Sequence, residues 1–156
     1  MNLKFYKLRT SAKLPVRAHR TDAGMDLFYC PNGNRGTCTE DNGDYWIPAR
    51  GSSLISTGLK TEIPEGYMLE VKNKSGIASK RQLVVGACVV DRGYTGEIFV
   101  NLHNVTHRNQ TIHSGEKIAQ AVFVKITTDV RLVESDTIYD DETSRGEGAL
   151  GSTGDR

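Results

Sequence analysis

An all-β fold is what this sequence predicts, and three features predict it. Apolar residues recur with a period of two rather than 3.6. The alternating stretches are short, and clusters of Gly, Pro, Asn and Asp separate them, as in sandwiches and barrels. Helical character is confined to one stretch, SGIASKRQ, which starts at Ser75. With 156 residues and 37% apolar composition, the chain has material for one self-supporting core and shows no repeat.

The opening MNLKFYKLRT lacks the apolar segment of a signal peptide, so a cytoplasmic protein is expected. A net charge of +1 predicts no bulk attraction to nucleic acid or to a membrane surface. In DAGMDL, Asp26 reads as a turn acid. Residues 31–45, PNGNRGTCTEDNGDY, read as a long loop or protruding hairpin. Cys30 and Cys38 flank a glycine- and asparagine-rich loop and could form half of a zinc site, but no histidine is near and zinc takes four ligands. Reduced thiols without a structural role are the expectation.

EGYMLEVK alternates Tyr67, Leu69 and Val71 with Met68, Glu70 and Lys72, and is a strand. SGIASKRQ is a short helix with Ser75 in an N-cap-like position. LVVGACVV is an apolar hairpin too short to cross a bilayer; Gly86 and Ala87 suit its turn. GEIFVNLHN places Ile98, Val100 and Leu102 on one face. GEKIAQAVFVKI is a strand with Ile118, Val122, Val124 and Ile126 on one face and Gln120 among them. A polar side chain there needs a partner, either backbone or a ligand or subunit contact. The closing RGEGALGSTG has almost no capacity to build a core.

Some of these residues carry chemistry as well. Asp91 follows the hairpin and precedes an Arg-Gly turn, so it is either a turn-former or a base. Lys74, Ser75 and Gly76 put a charge, a hydroxyl and a glycine at a helix start, which makes an anion site or an exposed turn. Arg145 and the glycines after it make either a disordered tail or a lid whose N–H groups wrap phosphate.

Five segments, DAGMDL, NKSGIASK, VGACVVDRGYTGE, GEKIAQ and RGEGALGSTG, stand in the order and spacing of five motifs. Together they resemble those of the homotrimeric dUTPase family, from about residue 22 to 154. The resemblance implies a distorted jelly-roll or β-sandwich over residues 1–144 with a flexible arm at 145–156. It implies hydrolysis of dUTP to dUMP and pyrophosphate, which keeps uracil out of DNA and supplies dUMP for thymidylate synthesis. Asp91 is then the base that activates water against the α-phosphorus, and Tyr94 packs beneath the sugar and excludes a 2′-hydroxyl. The backbone around Val85, Gly86, Val89 and Val90 pairs with uracil. Lys74, Ser75, Gly76 and Gln120 serve the phosphates, and Asp26 reaches the water shell of a Mg²⁺ carried on the triphosphate. Arg145, Leu150, Gly151, Ser152 and Thr153 close over the substrate. The family's homotrimer shares each site between subunits.

Three positions depart from the family's usual residues. Val85 stands where many relatives have asparagine, Lys74 where arginine is usual, and Leu150 where an aromatic stacks on uracil. Two other readings compete. A dCTP deaminase has a similar third motif but needs a glutamate ten residues beyond the aspartate, where this chain has Asn101. A non-catalytic binding protein of the same fold would use the 31–45 segment as a partner surface.

Overall fold

Wherever the sequence alternates, the chain forms a strand. The computed structural model describes residues 1–33, 40, 41 and 43–138. Its strands are β1 (Lys4–Lys7), β2 (Gly24–Phe28), β3 (Glu40–Asp41), β4 (Asp44–Ile47), β5 (Ser52–Ser56), β6 (Leu59–Glu62) and β7 (Tyr67–Lys72). After helix α1 (Ser75–Arg81) come β8 (Leu83–Val85), β9 (Val89–Val90), β10 (Phe99–Asn104), β11 (Gln110–Ile112) and β12 (Lys117–Lys125). All pairings are antiparallel, in sheets ordered β2-β12-β7-β9, β5-β10-β8, β11-β4-β3 and β1-β6. The all-β prediction with one short helix holds.

One core unites the three larger sheets. Leu27, Leu69, Val71 and Ala121 come from the first, Ile55, Val100 and Leu102 from the second, and Tyr45, Ile47 and Ile112 from the third. Burial of apolar area in such a core, at about 25 cal/mol per Å², is the main favourable term in folding. Leu69 and Val71 of β7 and Val100 and Leu102 of β10 point inward, following the predicted alternation.

The predicted face of β12 needs correction. Ile118, Ala119 and Ala121 are all buried, while Gln120, Val122 and Val124 are only partly covered. A register shift between Lys117 and Ala119 in the pairing with β2 explains this. A bulge adds one residue and reverses the inward–outward parity beyond it. Gln120 therefore does not sit among core residues; it stands on the outer face.

The helix also starts one residue earlier than predicted. Lys74 is its N-cap, in extended conformation and without a side-chain capping bond, and Ser75 is already helical. Ser79 Oγ instead donates to the Ser75 carbonyl at 2.6 Å. At the far end Gln82, at φ 53°, closes the helix in the left-handed region.

Within residues 31–45, β3 pairs with β4 as a hairpin, which accords with one of the two predicted forms, and Gly43 supplies its φ of 84°. Residues 34–39 and 42, with Cys38, lie outside the described residues. Cys30 is a free, buried thiol 3.4 Å from both Arg9 Nε and Ser11 Oγ. Beyond β12, Ile126 donates its N–H to the Gly66 carbonyl at 2.8 Å, and residues 127–138 are exposed. No described helix is long and apolar enough to cross a membrane.

Candidate functional site

Three neighbouring strands of the first sheet, β2, β12 and β7, bring three of the predicted site residues together. In the β2–β12 ladder Gln120 stands opposite Asp26, and in the β12–β7 ladder it stands opposite Lys72, two residues before Lys74. The result is a cavity of about 340 Å³ lined by Asp22, Gly24, Asp26, Lys74, Gln120 and Val122, among others. Gln120 Nε2 donates to the Asn73 carbonyl at 2.9 Å, and its amide lies over Gly24, where any Cβ would overlap it.

Asp26 is buried and doubly paired. Lys74 Nζ donates to Oδ1 and Lys117 Nζ to Oδ2, each at 2.8 Å. Burial alone would push the carboxyl's pKa up; the hydrogen bonds and charges of Lys117 and Lys74 outweigh it and hold the pKa below the usual carboxylate value. Two ammonium groups thus flank this carboxylate, and Asp22 adds a second carboxylate to the cavity wall. Lys117 lies inside the motif GEKIAQ but is not among the predicted site residues, because only strand pairing shows that it reaches Asp26.

A bare divalent cation does not suit this corner. Asp26 has both oxygens engaged by lysines, and among the described residues no group of three or more His, Cys, Asp or Glu side chains could hold a metal. The donor set fits a cation only as one carried in by an anionic ligand.

Asp91 and Tyr94 stand elsewhere on the chain. Asp91 is exposed just beyond β9, and its carbonyl accepts the Tyr94 N–H at 3.3 Å across a turn in which Gly93 has φ 89°. A positive φ of this kind suits glycine because it has no Cβ. Tyr94 Oη donates to the Glu97 carbonyl at 3.0 Å, fixing the ring against its own turn. The Glu97 carboxylate is held in turn by Arg9, by Ser56 and by the Gly58 N–H at 2.7 Å. Tyr94 lines a second cavity of about 920 Å³ between β1, β6 and residues Arg92–Thr95. The two cavities share no lining residue, and Asp91 borders neither.

The apolar hairpin between β8 and β9 completes the described set. Val85, Gly86, Val89 and Val90 present backbone, and the Cys88 carbonyl accepts the Val71 N–H at 2.7 Å. Asn101, which stands where a deaminase would need its acid, binds this turn: Oδ1 accepts the Ala87 N–H at 3.2 Å and its own carbonyl accepts the Gly86 N–H at 2.9 Å. Ser75 and Gly76 open α1 beside Lys74. Arg145, Leu150, Gly151, Ser152 and Thr153 lie outside the described residues. Asn73, Asn101 and Lys117 are the contributors that sequence reasoning did not assign, and each acts through a partner distant in sequence.

Comparison with known proteins shows the family. The family model described as dUTPase matches residues 10–154. The chain is 35% identical over 152 residues to the deoxyuridine 5'-triphosphate nucleotidohydrolase of Saccharomyces cerevisiae, covering 97% of this chain and 94% of that protein. It is 37% identical over 151 residues to the protein of that name from Arabidopsis thaliana, covering 97% and 82%. Among solved structures it is similar to a Staphylococcus bacteriophage 80alpha dUTPase with dUPNHPP, at a TM-score of 0.78 and 28% identity over 98% of both chains. It is also similar to a mutant dUTPase from phage phi11 of S. aureus, at a TM-score of 0.74 and 25% identity over 88% of this chain and 99% of that one. That structure is described as coordinating a structural Mg(II) ion.

Proposed function

The chain belongs to the dUTPase family, and from that premise we propose how it hydrolyses dUTP to dUMP and pyrophosphate. Asp91 orients a water and takes its proton as the water attacks the α-phosphorus in line with the departing pyrophosphate. A carboxylate in hydrogen-bond reach of such a water contributes typically about 10²–10⁴-fold. The observation that carries the assignment is the turn Asp91–Glu97. An exposed carboxylate is set three residues before a tyrosine whose hydroxyl is tied to the backbone of the turn.

Tyr94 packs under the deoxyribose, and its tether gives the rigidity a pocket needs to reject one extra hydroxyl. The backbone of Val85, Gly86, Val89 and Val90 pairs with uracil. Lys74, with Ser75, Gly76 and Gln120, meets the phosphates, and Lys117 adds a second cation from β12. Lysine at position 74 keeps the charge of arginine without the bidentate fork. Mg²⁺ enters as part of the triphosphate substrate, and Asp26 faces its water shell. Arg145, Leu150, Gly151, Ser152 and Thr153 close over the bound nucleotide, excluding water and holding a near-attack geometry.

The assembly is a homotrimer acting in the cytoplasm. The phosphate-side residues and Tyr94 line separate cavities of one chain, which supports a site completed by neighbouring subunits. Pyrophosphate release measured with each deoxy- and ribonucleoside triphosphate tests the reading. Release from dUTP alone is expected; no release from dUTP, or comparable release from dCTP or UTP, overturns it.

A further inference from the structure

Three consecutive backbone N–H groups at the hairpin turn are already committed before any ligand arrives. Val85 N–H donates to Asn73 Oδ1 at 2.7 Å, Gly86 N–H to the Asn101 carbonyl at 2.9 Å, and Ala87 N–H to Asn101 Oδ1 at 3.2 Å. The Asn101 amide is itself fixed at both ends. Oδ1 also faces His103 Nε2 at 3.0 Å, and Nδ2 donates to the Ser53 carbonyl at 3.4 Å. Oδ1 is thus the acceptor of two donors, which sets the orientation of the side chain.

The geometry of one peptide group gives this arrangement a consequence. A trans peptide is planar, and its N–H and C=O point in opposite directions. Holding the Ala87 N–H against β10 therefore turns the Gly86 carbonyl away from β10, toward the open side of the turn. Among the described residues no donor reaches that carbonyl. Gly86 lacks a Cβ, so rotation of the Gly86–Ala87 peptide is sterically cheap and needs a lock. A Cβ at this position would displace the Asn101 and His103 side chains that face the turn.

We propose that Asn101 is a specificity-determining positioning residue that locks the Gly86–Ala87 peptide with its carbonyl toward the base. The inference rests on the hairpin's reading of uracil proposed above. Uracil presents N3–H, a donor, which the Gly86 carbonyl accepts. Cytosine presents an unprotonated N3, an acceptor, which the same carbonyl repels. If the peptide rotated, the Ala87 N–H would face the base and the preference would weaken or reverse. Asn101 touches no reacting atom; it acts through the polarity of a peptide. Specificity here is a difference between two affinities, achieved by withholding a donor from the wrong base.

The test compares kcat/KM for dUTP and dCTP hydrolysis in the full-length wild-type enzyme, Asn101→Leu and Asn101→Asp. Asn101→Leu keeps the volume and removes the acceptor; it lowers the dUTP-over-dCTP ratio by about tenfold or more. Asn101→Asp keeps an acceptor for the Ala87 N–H and retains the ratio within about threefold. Parallel loss on both substrates in Asn101→Leu, with the ratio unchanged, marks a merely structural residue and overturns the proposal. Amide hydrogen exchange at Ala87 in ligand-free wild-type protein is the second measurement, independent of any variant's folding. Protection is expected there, and a freely exchanging Ala87 amide overturns the lock. Wild-type protein inactive on dUTP would sink the parent reading instead, and the exchange result would still decide whether the lock exists.

Discussion

Asp26 shows what a single buried carboxylate does at this site. Its pKa lies below the ordinary 3.8 because Lys117 and Lys74 more than offset the effect of burial. A carboxyl with a depressed folded-state pKa contributes stability that is present above the unfolded value and lost as pH falls through the folded one. Asp26→Asn should therefore lower unfolding free energy at pH 7 by about 1–3 kcal/mol. The gap from wild type should close as pH drops below about 4, and denaturant titrations at a series of pH values check this. A gap that stays constant down to pH 2 would show that the ion pairs contribute nothing. Asp91 carries the proposed base role. Asp91→Asn keeps shape and loses basicity, so nucleotide binding should persist while turnover falls by about a hundredfold or more. Single-turnover assays retaining more than about a tenth of wild-type activity would refute the base assignment. Asp91 was visible in the sequence as an acid in a turn, but Asp26, also read as a turn acid, lies buried inside β2. What was not visible is that Asp26 spends its charge on Lys74 and Lys117, since a pairing across strands leaves no trace in local spacing.

Elements carry these residues, and their mutual ties decide where the residues point. Helix α1, which follows Lys74, is anchored at its last residue. The Arg81 guanidinium pairs with Glu116 and donates to the Thr111 carbonyl, with Gln110 Oε1 at 3.4 Å from Nε. Those partners lie in β11 and the turn before β12, so one side chain links the helix to the strand that bears Lys117 and Gln120. Arg81→Met should keep the stem's packing and lose the ties. A loss of about 1–3 kcal/mol follows, lowering the thermal midpoint by about 2–4 °C per kcal/mol at fixed protein concentration. KM should rise more than kcat falls, because a loosened α1 misplaces Lys74 in ground state and transition state alike. A midpoint unchanged within a degree would remove Arg81 from this role. At this scale the sequence was legible wherever alternation is strict, as in β7 and β10. It misled at β12, where one extra residue between Lys117 and Ala119 reverses parity. It misled again at the helix start, where Lys74 rather than Ser75 is the N-cap. Bulges and caps are settled by tertiary pairing, to which a periodicity count is blind.

At the scale of the whole molecule, the two groups of residues proposed to form one site do not share a cavity on one chain. Asp26, Lys74 and Gln120 line one, and Tyr94 lines the other. A trimer resolves the separation if Asp91 and Tyr94 come from one subunit, Lys74 to Gly76 and Gln120 from a second, and the closing segment after residue 144 from the third. The prediction is a complementation between two inactive proteins, full-length Asp91→Asn and a chain truncated before Arg145, mixed under conditions that exchange subunits. With a segment acting in trans, a site works when its aspartate comes from a truncated chain and its lid from a full-length one. Equal random mixing in a closed cyclic trimer makes each condition true for about half of the sites, so roughly one quarter regain activity. With a segment acting in cis, every chain that carries Asp91 lacks a lid, and mixing restores nothing. Exchange is verified independently by a mass label on one partner, so that silence has a single meaning. A recovered quarter would assign the lid to a neighbouring subunit; silence after verified exchange would leave Asp91 as the base and confine each lid to its own chain.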